Sequence, residues 1–383
     1  MAFNLIGDGG FGCVYYDSGI NCDGKPDKDK EYITKLEKKD IDSNNEIEIS
    51  NIVKKIDNYE RFFAPIESTC DIKLRQLNKS IIKDCPIVDQ EETDKYILMR
   101  IPYINKEDFF SAITDKCEDN KNPILQMIDT YQFLLNSIKK LIEKKIVHFD
   151  INAANIVYSK ILQTPMLIDF GISINIDYLL QNIDNDDIVS NIFYAHDPTQ
   201  YRWPIEVHII TYLTRKGDVL DKHIIDNICD DYVNANKAFK LYSTEFRKKY
   251  IENASQYYYK FIKYEKQDTI KELVTYWKTW DNYALSITLL RYIGFIFDNG
   301  FFDNRFIINF SQLFITNCHY DPNIRKNIKE CVSDIASVFF KENDPKKYIS
   351  LVTNIKYKKE EVLTKIESEH YSTPSKIESL SFT

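Results

Sequence analysis

The chain has 383 residues, 44% of them hydrophobic, and a formal charge of −8. That length buries a substantial core spread over two or three domains. The acidic balance excludes bulk binding of nucleic acid or of an anionic membrane, both of which need basic surfaces. Eight cysteines are scattered with no C-x-x-C among them, so free thiols in a reducing, cytoplasmic compartment are expected. No basic leader opens the chain, and its first sixteen residues hold four glycines, so no secretory signal is expected.

In chain order, residues 3–6 read as a short strand. Gly7-Asp8-Gly9-Gly10-Phe11-Gly12-Cys13-Val14 follows, a G-x-G-x-x-G-x-V pattern. Glycines there let backbone amides approach phosphates with no Cβ in the way. Alone, the pattern also fits a Rossmann turn or a plain hairpin, but Val14-Tyr15-Tyr16 continues as strand instead of opening a helix. Residues 17–30 are polar and form a loop. Glu31–Leu36 alternates like a strand and carries Lys35, a candidate phosphate-pairing cation whose plain alternative is a solvated strand lysine. Asn44–Ile56 has helical patterning, with Ile49, Ile52, Val53 and Ile56 on one face. Glu46, at the edge of that face, is preferred over Glu48 as the partner of Lys35; an ordinary acidic first turn is the alternative. Tyr96–Ile101 reads as a buried strand that stops at Pro102, and Lys106–Ile113 as the start of helical structure.

Ile124–Lys145 is a long amphipathic helix with Ile128, Tyr131, Leu134, Leu135, Ile138 and Ile142 on its stripe. It leads into Val147-His148-Phe149-Asp150-Ile151-Asn152-Ala153-Ala154-Asn155, and fourteen residues past Asn155 comes Asp169-Phe170-Gly171. The spacing H-x-D-x-x-x-x-N, then D-F-G, puts a carboxylate and an amide at the two ends of one tight loop, with a second carboxylate returning from the next strand. Phosphoryl transfer from a metal-bound nucleotide needs a carboxylate to take a hydroxyl proton and oxygen ligands for Mg²⁺. Turn propensity explains Asp, Asn and Gly one at a time, but not their joint spacing. Residues 211–279 are charged, Tyr-rich and patterned as helices. Tyr283–Phe297 is apolar but too short to span a bilayer and holds Arg291, so it reads as a buried helix. Residues 341–383 lack a strong apolar face after about Val362, and the end, Tyr371-Ser372-Thr373-Pro374-Ser375, is expected to be disordered.

Together these motifs resemble those of eukaryotic-type protein kinases over roughly residues 1–340. The resemblance implies an α+β, bilobal protein-kinase-like fold, with a small β-rich N-lobe (1–101), a larger helical C-lobe (102–340) carrying a helical insertion at about 211–279, and a tail at 341–383. It implies Mg²⁺ and ATP, with ATP in the cleft between lobes. Asp150 is then the catalytic base, and Asn155 and Asp169 are the metal ligands. Lys35, held by Glu46, pairs the α/β-phosphates. Ile6, Gly7, Asp8, Gly9, Gly10, Phe11, Gly12, Cys13 and Val14 line the nucleotide, with the adenine against Met99 and the backbone from Arg100 through Ile101 to Pro102.

Two departures stand out. Phe149 replaces the Arg that answers an activation-segment phosphate, so control by such a phosphate is not expected. Asn152 replaces a Lys that neutralises the transferring phosphoryl group; it still donates a hydrogen bond but carries no charge. Trp203-Pro204-Ile205-Glu206 resembles the family's A-P-E end. Thr199, seven residues before Glu206, is either a partner of the catalytic Asp or an ordinary loop threonine. Asp281 and Arg325 match positions that tie down the catalytic loop and pair with Glu206. The acidic cluster Asp184, Asp186 and Asp187 is a candidate stand-in for a phosphate. The expected activity is phosphorylation of Ser/Thr in a protein substrate, with a scaffolding pseudokinase or a small-molecule kinase as alternatives and a possible protein partner at the insertion. The Ile/Lys/Asn/Asp bias also resembles kinases of large DNA viruses, which implies host cytoplasm or virion.

Overall fold

A computed structural model describes residues 4–9, 12–16, 19–20, 22, 26–27, 31–77, 82–83, 85–88, 95–107, 123–298 and 305–341. Gly10 and Phe11, most of the helix expected at 106–113, Cys117 and the tail past 341 lie outside the described residues. The chain divides into two units. One holds the described residues up to Glu107 together with Val157–Ser173; the other holds those up to Ile156 from Pro123 and those from Ile174.

The first unit is built on an antiparallel sheet of β1 (Asn4–Gly9), β2 (Gly12–Tyr16), β3 (Tyr32–Lys38), β4 (Ser68–Ile72) and β5 (Tyr96–Pro102), in the order β1-β2-β3-β5-β4. Side chains alternate across a strand, so directly paired residues share a face. Cys13, Leu36, Leu98 and Cys70 form one such row. On that face Cys13, Tyr15, Leu36, Ile72 and Leu98 pack into a core with Leu74, Leu77, Cys85 and Tyr96. Val14, Lys35 and Met99 form a row on the other face.

Cys13 is bonded to Cys85, and Cys22 to Cys70. This corrects the expectation of free thiols throughout. Absence of C-x-x-C speaks only to local pairs, whereas these bridges close over 72 and 48 residues and depend on which sheet face each cysteine takes. Cys229, Cys318 and Cys331 do remain buried thiols. Because structural disulfides persist in oxidising surroundings, cysteine usage no longer supports a reducing cytoplasm.

Helix α1 (Ile41–Val53) begins three residues earlier than its apolar stripe suggests. Asp40 is the reason: its carboxylate accepts from the Ser43 amide at 3.0 Å while Ser43 Oγ accepts from the Asp40 amide at 3.0 Å, a reciprocal capping box. Ile49 and Val53 are buried, and so is Glu46. Lys106–Glu107 is not helical; it pairs antiparallel with Tyr158 and Ser159.

The second unit is helical. It contains α2 (Pro123–Glu143), α3 (Ile176–Gln181), α4 (Asp186–Ile192), α5 (Ile205–Arg215), α6 (Lys222–Ala235), α7 (Thr244–Tyr258), α8 (Lys266–Val274), α9 (Trp280–Asp298), α10 (Arg305–Asn317) and α11 (Ile328–Lys341). A two-residue pairing of Ile146–Val147 with Ile174–Asn175 ties the end of α2 to the start of α3. The Tyr-rich stretch at 211–279 is built into the unit by its hydroxyls: Tyr250 donates to the Cys318 carbonyl at 2.7 Å and Tyr258 to the Tyr320 carbonyl at 2.8 Å. Among the described residues no helix is long and apolar enough to cross a membrane.

Candidate active site

In the first unit the site is organised around Lys35. Its Nζ lies 2.9 Å from Glu46 Oε2, 2.5 Å from Glu37 Oε1 and 3.7 Å from Asp169 Oδ1. Glu46, not Glu48, is therefore the helix residue that meets it. Burial alone would lower the Lys35 pKa, but Glu46, Asp169 and Glu37 raise it well above the usual lysine range, so the ammonium stays charged. Asp169 has φ 66°, a left-handed conformation that non-glycine residues adopt only when their surroundings impose it. The surroundings here are specific. Phe170 is buried edge-on to Phe63, and Asn45 of α1 donates to the Ser173 carbonyl at 2.9 Å. The result is a carboxylate 47% exposed beside a buried lysine.

Glu37 had no role in the motif. It follows Lys35 by two residues, so strand alternation alone places both on one face. Its carboxyl is pushed up to about 8, by burial first; Lys35 pulls it down, and Glu46 and Asp169 push it further up. One ammonium cannot neutralise three carboxylates, so one keeps its proton, and the 2.5 Å contact is a charge-assisted one to a neutral acid. Folded Glu37 thus holds a proton that the unfolded chain has released between about 4.5 and 8. The stability of this unit is expected to fall as pH rises through that window and to be level outside it. Glu46 is raised as well and acts with the same sign; Lys35, raised from 10.5, contributes no slope in this range. Glu37→Gln should flatten melting temperature against pH, removing a few kcal/mol at about 1.4 per pKa unit. An unaltered slope in that variant would assign it to other groups.

Cys13, expected to line the nucleotide, has its side chain fully buried on the face opposite Lys35, in its disulfide. Val14 is half-buried on the Lys35 face. Gly12 has a packing reason to be glycine, since a Cβ there would stand 2.9 Å from the Leu36 carbonyl and 2.7 Å from Glu37 Cγ. Ile6, Gly7, Asp8 and Gly9 lie in β1, with Gly7 opposite Val14. Met99 is fully buried with Ile66 and Ile97, and the half-buried Ile101 packs on that cluster.

In the second unit the site is the loop 148–155. Asp281 of α9 holds its start, accepting from the His148 amide at 2.8 Å and the Phe149 amide at 2.9 Å. Burial raises the Asp281 pKa, while His148 and the two backbone N–H groups pull it down. Phe149 has φ 68°. Its ring stacks on Trp203 at 4.7 Å and 19°, and its carbonyl accepts from Trp203 Nε1 at 2.8 Å. Where an arginine was missing, the chain has put an aromatic lock.

Asp150 comes next. Asn152 Nδ2 donates to Asp150 Oδ1 at 3.0 Å, and Asn155 Nδ2 to Oδ2 at 2.8 Å; both also reach the Asp150 carbonyl. Asn152 Oδ1 accepts from the Ala154 amide at 2.8 Å, so both ends of that amide are engaged inside the loop. With its nitrogen turned to Asp150, Asn155 has its carbonyl oxygen to offer a cation. The Asp150 side chain is 32% exposed in a loop where only Ala154 is more open.

No family model matches the chain, and no curated protein matches it. Among solved structures it is similar to the autoinhibited serine kinase domain of the giant muscle protein titin. The TM-score is 0.41 and the identity 15%, over 92% of this chain and 86% of that one. A likeness that slight decides nothing about activity.

Other sequence expectations meet the structure as follows. Thr199 does not reach Asp150; its hydroxyl donates to Asp197 Oδ1 at 2.6 Å, closing a local turn. Asp186 and Asp184 are answered by lysines of α8, with Lys266 at 3.0 Å and Lys271 at 2.6 Å. Glu206 and Arg325 form a buried bidentate pair at 2.5 and 2.9 Å. Among the described residues no group of three or more His, Cys, Asp or Glu is placed to hold a metal. A Mg²⁺ that arrives with nucleotide phosphates does not need one, because it takes one or two protein oxygens and keeps several waters.

Proposed function

We propose that the chain is an ATP-dependent kinase that phosphorylates serine or threonine hydroxyls of a protein. One observation carries the reading: a partly exposed carboxylate, Asp150, is oriented by two side-chain amides in a loop that is mostly buried and pinned at its start by Asp281. A fixed carboxylate beside solvent is what accepting a hydroxyl proton requires. The acceptor oxygen bonds to the γ-phosphorus as the bond to the β–γ bridging oxygen breaks. The electron pair of that bond leaves with ADP, and the hydroxyl proton passes to Asp150.

Lys35 supports the reading as a charged, buried donor for nucleotide phosphates, kept in place by Glu46. Asp169 and Asn155 offer the hard oxygens that suit Mg²⁺, whose part when bound is to neutralise phosphate charge. The Glu206–Arg325 pair favours a protein acceptor over a small alcohol, because it matches the protein-kinase motif set and not only the loop. The test is transfer of label from Mg·ATP to casein, set against a panel of small alcohols and aminoglycosides. Labelled casein is expected; labelling confined to the small acceptors would replace the reading with a small-molecule kinase.

A further inference from the structure

We propose that Arg202 is the catalytic cation of this site, stabilising the phosphoryl group as it transfers; this rests on the kinase reading above. The transferring group carries negative charge on its equatorial oxygens, and a site that speeds the transfer needs a fixed positive group near the attacking hydroxyl. Asn152, two residues after Asp150, is neutral and has both ends occupied within the loop. Arg202 does bring a charge there: its Nη2 stands 4.0 Å from Asp150 Oδ1, with the Arg202 side chain 28% exposed and that of Asp150 32% exposed. Both groups therefore face the solvent from which an acceptor arrives. At 4.0 Å the guanidinium is not spent on a tight bidentate pair with Asp150, which would close its donors.

Arg202 is placed by its neighbour. Trp203 is pinned on four sides: its ring stacks on Phe149, its Nε1 donates to the Phe149 carbonyl, its amide donates to the Gln200 carbonyl at 3.0 Å, and its own carbonyl contacts His208 Nε2 at 3.1 Å. His208 is fully buried and its pKa is pushed down to about 3, chiefly by burial, so the ring is neutral and donates there. Two consecutive residues, 202 and 203, thus meet two consecutive residues, 150 and 149. The apolar pair fixes the register, and the polar pair sits beside it at the reacting end.

The experiment compares wild type, Arg202→Gln, Arg202→Lys and Arg202→Gln combined with Asn152→Lys, by steady-state kinetics and by binding. Arg202→Gln should lower kcat by ~10²–10³ with the KM for Mg·ATP and the melting temperature little changed. Arg202→Lys should keep most activity, and a lysine at 152 should recover at least about tenfold of the loss. Binding of ADP with aluminium fluoride, a planar stand-in for the transferring group, should weaken in Arg202→Gln while ADP alone binds as before. Wild-type kcat in Arg202→Gln would overturn the proposal. So would a loss that neither lysine variant reduces, with analogue binding intact, because Arg202 would then only brace Asp150. A wild type no faster than Asp150→Asn would instead sink the kinase reading, and this inference with it.

Discussion

Asp150→Asn is expected to leave a folded protein whose phosphoryl transfer is slower by ~10²–10⁴. The replacement has the same shape but no basic carboxylate, so a proton leaving the acceptor hydroxyl has nowhere local to go. Its structural effect should be small. Asn152 and Asn155 donate to the two carboxylate oxygens of Asp150, and an amide at 150 keeps one of these two bonds and loses the other, at about 1 kcal/mol. Asp281, which pins His148 and Phe149, is untouched. Binding of Mg·ATP should also persist, since Lys35 and its ion pairs do not depend on this residue. Calorimetry of nucleotide binding together with turnover separates the two steps. Equal turnover in wild type and variant, with binding retained, would leave a nucleotide-binding scaffold in place of an enzyme.

The parts of the site that were legible in the sequence are those set by local period. The loop from His148 to Asn155 declares itself by spacing. Glu46 follows from a helical stripe, and Lys35 from strand alternation. Glu37 was legible by the same alternation, but it belongs to no motif, and only its burial beside Lys35 gives it weight. What was not legible depends on partners distant in the chain. The Cys13–Cys85 bridge requires knowing that Cys13 points away from Lys35. Lys106–Glu107 is strand because Tyr158 and Ser159 are there to pair with it, whereas its own neighbourhood suggests a helix. The Trp203–Phe149 stack joins residues 54 apart. From sequence, Phe149 registered only as an absent arginine, and Arg202 did not register at all. Thr199 is the reverse case: a position that matches a motif, yet whose hydroxyl donates to Asp197, two residues away.

Arg325→Met is expected to destabilise the helical unit by about 3–5 kcal/mol, the range for leaving one member of a buried ion pair without its partner. The side chains of Arg325 and Glu206 are 1% and 0% exposed. Burial alone would lower the guanidinium pKa, and Glu206 more than offsets this, raising it. The carboxylate is held on several sides in the native state: Trp280 Nε1 donates to it at 3.1 Å, and the Tyr258 hydroxyl, whose one proton is shared with the Tyr320 carbonyl, stands 3.1 Å away, in addition to both arms of the arginine. Removing the arginine leaves a buried negative charge with the Trp280 N–H and a share of the Tyr258 hydroxyl, which is too little. Glu206→Gln combined with Arg325→Met removes both charges, so the double variant should be more stable than Arg325→Met alone. Urea unfolding of the four proteins in that cycle measures the coupling. A loss below about 1 kcal/mol in Arg325→Met would mean the pair is hydrated and not buried. The consequence reaches Asp150 through the chain itself. Glu206 sits in the first turn of α5, three residues after Trp203, so the pair anchors the helix start that holds the indole against Phe149. Turnover per folded molecule should therefore fall in Arg325→Met and recover in part in the double variant, as the neutral pair restores the seat of Trp203.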